Sequence, residues 1–449
     1  MLRQLAADLR SGTLALDEYV EATLGRVERD NAALLAVLPE TDRRARLRYD
    51  AQALAARWPD PGNRPRLYGV LVGIKDVLRV DGVPTRAGSA LPPEVLGGGE
   101  AQIVARLRDQ GALVFGKLAT AEFAYADPPA TRNPHNMAHT PGGSSSGSAA
   151  AVGAGWLGLT IGTQTIGSVI RPAAFCGIVG FKPSHGRLPV GGLLHFSRSI
   201  DTLGMFTRDV ADMGYVARAL LDDWQEVATT STMPPTAAND STGLRLIVPD
   251  GAFLAQVDPP ALERFEATLR VLAAGGVDVV RVAAFADLAA LTRRHANLVL
   301  REFAEMHDNW FREWGALYRP GAASGCRAGA AVTADAYAES LASSRQLRTW
   351  LDTTLVERGA AAWACPAAVG TAPLGFGSTG NPALNMPFSH AGVPAITVPC
   401  DWVDTSGGAL PLGLQLAGAF GADERLLHIA AEVEDLLRPI QAARGTRAP

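Results

Sequence analysis

The first sixty residues carry apolar side chains at helical spacing. In DEYVEATLGRVERDNAALLAVL, Tyr19, Leu24, Val27 and Leu34 fall near one stripe, and Asp17 at its start complements a helix dipole. A Pro/Gly-rich link, Pro59 to Pro65, leads into LYGVLVGIKDVLRV, an apolar run interrupted by a single lysine. AQIVARLRDQ then reads as a helix and ALVFGK as a short strand, the repeating unit of an α/β fold. Ala149 to Leu157 predicts a helix of small residues, and LTIGTQT a strand. A second rhythm follows: LRLIVPD as strand, PPALERFEATLRVLAAGG as a helix with a glycine stop, VDVVRV as strand. Residues 290–360 are mainly helical and hold Phe303, Trp310, Phe311, Trp314 and Tyr318; ACPAAVG, AITVPC and LGLQLAG close the pattern as strands. No internal repeat interrupts this order, and ATTSTMPPTAANDST (228–242) is the best loop. The pattern predicts one large α/β domain with peripheral helices.

Composition narrows the class. Hydrophobic residues make up 47% of the 449 and charged residues 19%, enough for a large buried core. A net charge of −4 gives no reason to expect nucleic acid or an acidic membrane as partner, and the arginines from Arg43 to Arg48 read as a solvated helix face. The opening MLRQLAADLRSG has no apolar core of signal-peptide length. The longest weakly polar run, Ala149 to Gly162, is shorter than the roughly 20 residues of a membrane span. Cys176, Cys326, Cys365 and Cys400 are far apart and lack zinc or redox spacing, so they are expected as reduced, buried thiols in a cytoplasmic protein.

Three stretches hold candidate chemistry. TPGGSSSGSAAAVGAG (140–155) crowds Ser144, Ser145, Ser146 and Ser148 among glycines. It is not a linker, because it opens directly into a helix former, and it has no GxxxxGK[ST] to hold phosphate. What remains is a glycine-rich turn at a helix N-terminus, either simple capping or part of a catalytic site. TQTIGSVIRPAAFCG (163–177) places Ser168 on a tight turn after a strand, the geometry of an acyl-transfer nucleophile beside successive backbone N–H groups. Lys75, in its apolar run, either snorkels to the surface or is functional.

Together these stretches resemble the amidase signature family of serine hydrolases, in particular its malonamidase-like and general amidase branch. The matching motifs are GVLVGIKD (69–76), GGSSSGSAAAV (142–152), GTQTIGSVIRPAAFCGIVGFKPS (162–184), SIDTLGMFTRDVAD (199–212), GVPAITVP (392–399) and LPLGLQLAG (410–418). The resemblance implies a mixed, twisted β-sheet core surrounded by α-helices. Within that single domain it suggests an N-terminal helical segment (1–60), catalytic core motifs (61–220), a more variable, partly helical pocket region (221–375), and C-terminal core strands and a helix (376–449). It also implies a triad of Lys75, Ser144 and Ser168, with a cis peptide bond at the relay serine, placed at Gly143–Ser144 with Ser144–Ser145 as the alternative. In that scheme Ser168 attacks, Ser144 relays the proton, and a neutral Lys75 is the base. The backbone N–H groups of Thr165, Ile166, Gly167 and Ser168 would stabilise the oxyanion, and the reaction would use no metal and no organic cofactor.

The implied function is hydrolysis of the C–N acyl bond of a small or medium amide through an acyl-enzyme. The same triad would serve carbamates or esters. Further alternatives are a glutaminase-type subunit of a tRNA-dependent amidotransferase and an inactive binding protein. The expected partner is a small-molecule substrate, with neither nucleic acid nor membrane, and a homodimer is left open.

Several neighbours carry two readings. Ile166 stands where the family usually has a small residue, and either narrows the acyl pocket or points into the core. Arg171 matches an arginine that meets a substrate carboxylate in malonamidase-like members, against the favoured alternative of an ion pair with Asp201 or Glu122. Gly143 and Gln164 are further substrate-side candidates, Gln164 also as an orderer of the turn. His135 and His139 flank the serine loop and read as structural, as does Cys176. His185, His195 and His390 lack metal-ligand spacing, and the aromatics from Phe303 to Tyr318 read as core.

Overall fold

Strands that alternate with helices along the chain assemble into one sheet. The structure, a computed structural model, describes residues 1–226, 243–405 and 407–443. The loop expected at 228–242 lies outside the described residues. Ten strands appear: β1 (Leu71–Lys75), β2 (Leu113–Leu118), β3 (Leu159–Gln164), β4 (Val179–Lys182), β5 (Thr202–Thr207), β6 (Arg245–Asp250), β7 (Asp278–Ala283), β8 (Ala362–Pro366), β9 (Ala395–Thr405) and β10 (Gly408–Ala417). Their order across the sheet is β2-β1-β3-β5-β4-β9-β10-β8-β6-β7. β2, β1 and β3 are mutually parallel, as are β8, β6 and β7, and the strands between them are antiparallel. The sheet is therefore mixed, in a single large α/β domain.

Three N-terminal helices, α1 (Leu2–Ser11), α2 (Leu16–Leu34) and α3 (Arg43–Arg57), pack as the apolar stripe predicts. Leu24, Val27 and Leu34 are buried and Asp17 lies in the first turn of α2. The arginine face of α3 differs from expectation. Arg43 and Arg46 are largely covered and paired with Glu40, while Arg44 and Arg48 reach Glu21 on α2. Charge here joins α3 to its neighbours instead of facing water alone. The remaining helices are α4 (Gln102–Asp109), α5 (Ser146–Gly153), α6 (Ile170–Phe175), α7 (Val210–Leu220), α8 (Pro259–Ala274), α9 (Leu288–Trp314), α10 (Pro320–Ala330), α11 (Ala334–Glu357), α12 (Met386–Ala391) and α13 (Asp423–Ala443).

The two edges of the sheet differ. β1, β3, β4, β5 and β8 are buried along their whole length, and so is the edge strand β2, whereas the edge strand β7 is half-exposed. α5 begins at Ser146, three residues before the predicted start, because the serine hydroxyls bond to strand β3 beneath them. The four cysteines are free and buried. Among the described residues, no helix is long and apolar enough to cross a membrane.

Candidate active site

β1 and β3 are adjacent and parallel, so their carboxyl ends open on the same edge of the sheet, where open α/β sheets hold their ligands. β1 ends on Lys75. β3 ends on Gln164 and leads into the turn that carries Ser168. The Lys75 side chain is fully buried, Ser144 is 2% exposed and Ser168 8%. Lys75 Nζ donates to Ser144 Oγ at 2.8 Å and to Thr163 Oγ1 at 2.7 Å, with the Thr163 carbonyl at 3.5 Å. Burial pushes the Lys75 pKa down to about 7, opposed by the charge of Asp201. Of the two readings of this lysine, snorkelling is excluded.

Local chemistry shapes the serine loop. Gly142 adopts φ +81°, and a side chain there would press on Pro172 and Phe175. The Gly143–Ser144 peptide bond is cis, at the position the resemblance implied. Ser145 Oγ donates to the Thr163 carbonyl (3.1 Å), Ser146 Oγ to the Gly142 carbonyl (2.7 Å) and Ser148 Oγ to the Ile161 carbonyl (3.1 Å). Ser145 occupies the N-cap position yet makes no capping bond. Of the two roles expected of these serines, capping the helix and holding the loop, the bonds serve the second: Ser145 and Ser148 tie α5 to β3 and Ser146 closes the loop on Gly142.

The nucleophile turn is held from several sides. Gln164 Oε1 accepts the N–H groups of Val169 (2.8 Å) and Ile170 (3.0 Å), and Gln164 Nε2 donates to Ser389 Oγ (2.9 Å). Ser389 in turn donates to the Ile166 carbonyl at 2.7 Å, and the Thr165 hydroxyl donates to Asp201. Among the described residues, the N–H groups of Ile166, Gly167 and Ser168 donate to no protein acceptor. Three unused donors on one turn are what an oxyanion site needs. Gly167 is required by close approach: a Cβ there would collide with Asn385 Oδ1 and sit 2.9 Å from Arg171 Nη1. Ser168 forms no hydrogen bond with Ser144 among the described residues, so the structure joins Lys75 to Ser144 and leaves the Ser168 hydroxyl outside that pair.

Arg171 corrects the expected ion pair. Asp201 is engaged by the turn, and Glu122 accepts the Arg319 N–H at 2.9 Å. Arg171 is 4% exposed and binds carbonyls: Nη2 to Gly143 O (2.6 Å) and Nε to Thr379 O (2.8 Å), with Thr379 Oγ1 at 3.1 Å from Nη2. Its Nη1 has no partner, and burial pushes its pKa down to about 9. Ile166 is half-buried against the main core. His135 and His139 bond to the carbonyls of Cys176 (2.9 Å) and Ala372 (2.7 Å). Phe303 and Tyr318 pack in an aromatic group with Phe123 and His307.

Residue-level reading missed Thr163, Ser389 and Asn385, and named Asp201 only as a partner for Arg171; all but Asn385 stand in or beside the quoted motifs. The signal for Thr163 was its place one register step from Lys75 on a neighbouring strand, which requires the β1–β3 pairing. A separate cleft of about 620 Å³ among α1, α2, α3 and Tyr68 shares no residue with this cluster, and no serine, cysteine, lysine or histidine lines it.

A ten-stranded mixed sheet with a buried lysine and serine at its strand ends defines an enzyme fold of the C–N hydrolase type. The chain belongs to the amidase family, whose model, described as Amidase, matches residues 18–347. It is 32% identical to a glutamyl-tRNA(Gln) amidotransferase subunit of Roseiflexus sp. (strain RS-1), over 94% of this chain and 93% of that one. Among solved structures, an amidase crystal structure shares 30% identity at a TM-score of 0.83, covering 97% of this chain and 99% of that chain. A peptide amidase in complex with the competitive inhibitor chymostatin shares 27% at a TM-score of 0.81, covering 100% and 98%.

Proposed function

We propose that this chain hydrolyses small to medium amides through an acyl-enzyme on Ser168. The observation that carries the reading is the buried contact from Lys75 Nζ to Ser144 Oγ, with a lysine held near neutrality by its surroundings. Ser168 Oγ attacks the carbonyl carbon and its proton passes to Ser144, whose own proton moves to the Lys75 lone pair. The N–H groups of Thr165, Ile166, Gly167 and Ser168 take the oxyanion. As the tetrahedral centre collapses, the C–N bond breaks and the leaving nitrogen takes a proton from Ser144, which Lys75 replenishes. Water then cleaves the acyl ester by the same relay. Carbamates and esters present the same tetrahedral centre and fall within the same reading.

A second reading is a component of a tRNA-dependent amidotransferase, favoured by the near full-length similarity to the amidotransferase relatives. Turnover of a panel of anilide, aliphatic amide, carbamate, ester and malonamate substrates by the purified chain alone separates the two. Release of amine without any added protein is the expected result, and turnover only on addition of a partner protein would favour the second reading.

Within the first reading, the unpartnered Nη1 of Arg171 supports an acyl group ending in a carboxylate. Arg171→Ala should lower the ratio of kcat/KM for malonamate over a neutral amide by about 10- to 100-fold, the worth of a charge-assisted hydrogen bond. Taking the ratio cancels damage to the loop at Gly143. An unchanged ratio would confine Arg171 to holding that loop.

A further inference from the structure

The segment from His195 to Asp201 meets the turn that carries Ser168 at Thr165. Asp201 is 3% exposed, and four donors converge on its carboxylate. One oxygen accepts the Thr165 hydroxyl on the nucleophile turn. The other accepts the N–H groups of Phe196 (2.8 Å) and Ser197 (3.1 Å) and faces His195 Nδ1 at 3.1 Å. The segment is itself pinned from behind. Ser197 and Ser199 donate to Glu302 of α9, which also receives the Tyr337 hydroxyl of α11 at 2.7 Å. A carboxylate fixed this firmly cannot follow a moving turn, so the turn must follow it.

We propose that Asp201 is a positioning residue of the active site, tying the oxyanion turn through Thr165 to one buried carboxylate whose charge also acts on Lys75. The inference rests on the reading of Lys75 as the base. Of the charges around Lys75, Asp201 is the one whose field acts on the amine. Asp76 is paired with Lys117 of β2 at 2.7 Å, and Glu122 on the segment after β2 is turned to Arg319. His195 faces the carboxylate of Asp201 itself, and His185 lies near Lys182 and Arg348 as well as Asp201. The geometry is supported by the electrostatics, since the Asp201 charge raises the Lys75 pKa against the lowering by burial. The two functions are separable: the charge sets when Lys75 loses its proton, and the hydrogen bond sets where the donors point.

Asp201→Asn keeps an acceptor for Thr165 and removes the charge; Thr165→Val removes the tie and keeps the charge. The pH profile of kcat/KM should show the acid limb of Asp201→Asn displaced to lower pH by about half a unit or more. Thr165→Val should lose about tenfold in its plateau with the limb in place, the effect of a slightly misdirected turn. A limb unmoved in Asp201→Asn, or a full plateau in Thr165→Val, overturns the proposal. The second variant decides the matter alone if the first does not fold. Lys75→Ala, run in parallel, separates the underlying reading: wild-type activity there would remove Lys75 as base and this proposal with it. Loss of activity there beside an unmoved limb in Asp201→Asn would overturn the role of Asp201 only.

Discussion

Ser168→Ala should lower kcat by about 10,000-fold or more while leaving the fold and its thermal transition in place, because removing a nucleophile removes the covalent route entirely. The side chain makes no hydrogen bond to Ser144 among the described residues, so little structure depends on its hydroxyl. A fluorophosphonate should add its mass to Ser168 in the wild-type chain and not in the alanine variant. An adduct elsewhere, or a variant with ordinary turnover, would move the nucleophile to another residue.

Replacing Lys75 has the next largest effect, and its sign can be worked out. The amine accepts a proton only when neutral, and its pKa stands at about 7 instead of 10.5 because the side chain is buried. Wild-type log kcat/KM should therefore climb with unit slope below about pH 7 and level off above it. Lys75→Met should lose about 100- to 10,000-fold at the plateau, the usual worth of a general base, and lose the limb as well. Stability responds in the pH window above that limb. Between about 7 and 10.5 the unfolded chain holds the lysine proton and the folded chain has released it, so wild-type stability rises with pH across that window. The methionine variant has no such term. Its advantage in Tm over the wild type should be greatest below pH 7 and shrink towards pH 10. An advantage independent of pH would mean that folding leaves the Lys75 pKa where it stands in the unfolded chain.

A lysine in an apolar run and serines on glycine turns are local signals that single out Lys75, the serine loop and Ser168 as candidates, but only the resemblance joins them into one proposed triad. Local signals also place the N-terminal helices and most strands. They fail where side chains answer to distant backbone. Ser145, Ser146 and Ser148 read as caps because that is what serine does before a helix; they bind carbonyls of β3 and Gly142 instead. An acid partner is the ordinary expectation for a buried arginine, yet both candidate acids for Arg171 are already engaged. Thr163 and Asp201 become visible only once β1 lies beside β3 and the segment after His195 folds back on the turn.

The strand order carries a consequence for how the chain is made. The strands from residues 71–207 form one end of the sheet and those from 245–366 the other, and β9 with β10 is the hairpin that joins them, β9 pairing with β4 and β10 with β8. A ribosome delivers that hairpin late. Until it does, β4 and β8 each present an open edge, a template on which a neighbouring nascent chain can pair. Ser389, which buttresses the nucleophile turn, and Asn385, which walls it at Gly167, arrive in the same late stretch. Synthesis therefore supplies the lysine and both serines well before the parts that hold the nucleophile in place. A chain cut short before residue 385 would carry Lys75, Ser144 and Ser168 without the scaffold that holds the turn of Ser168.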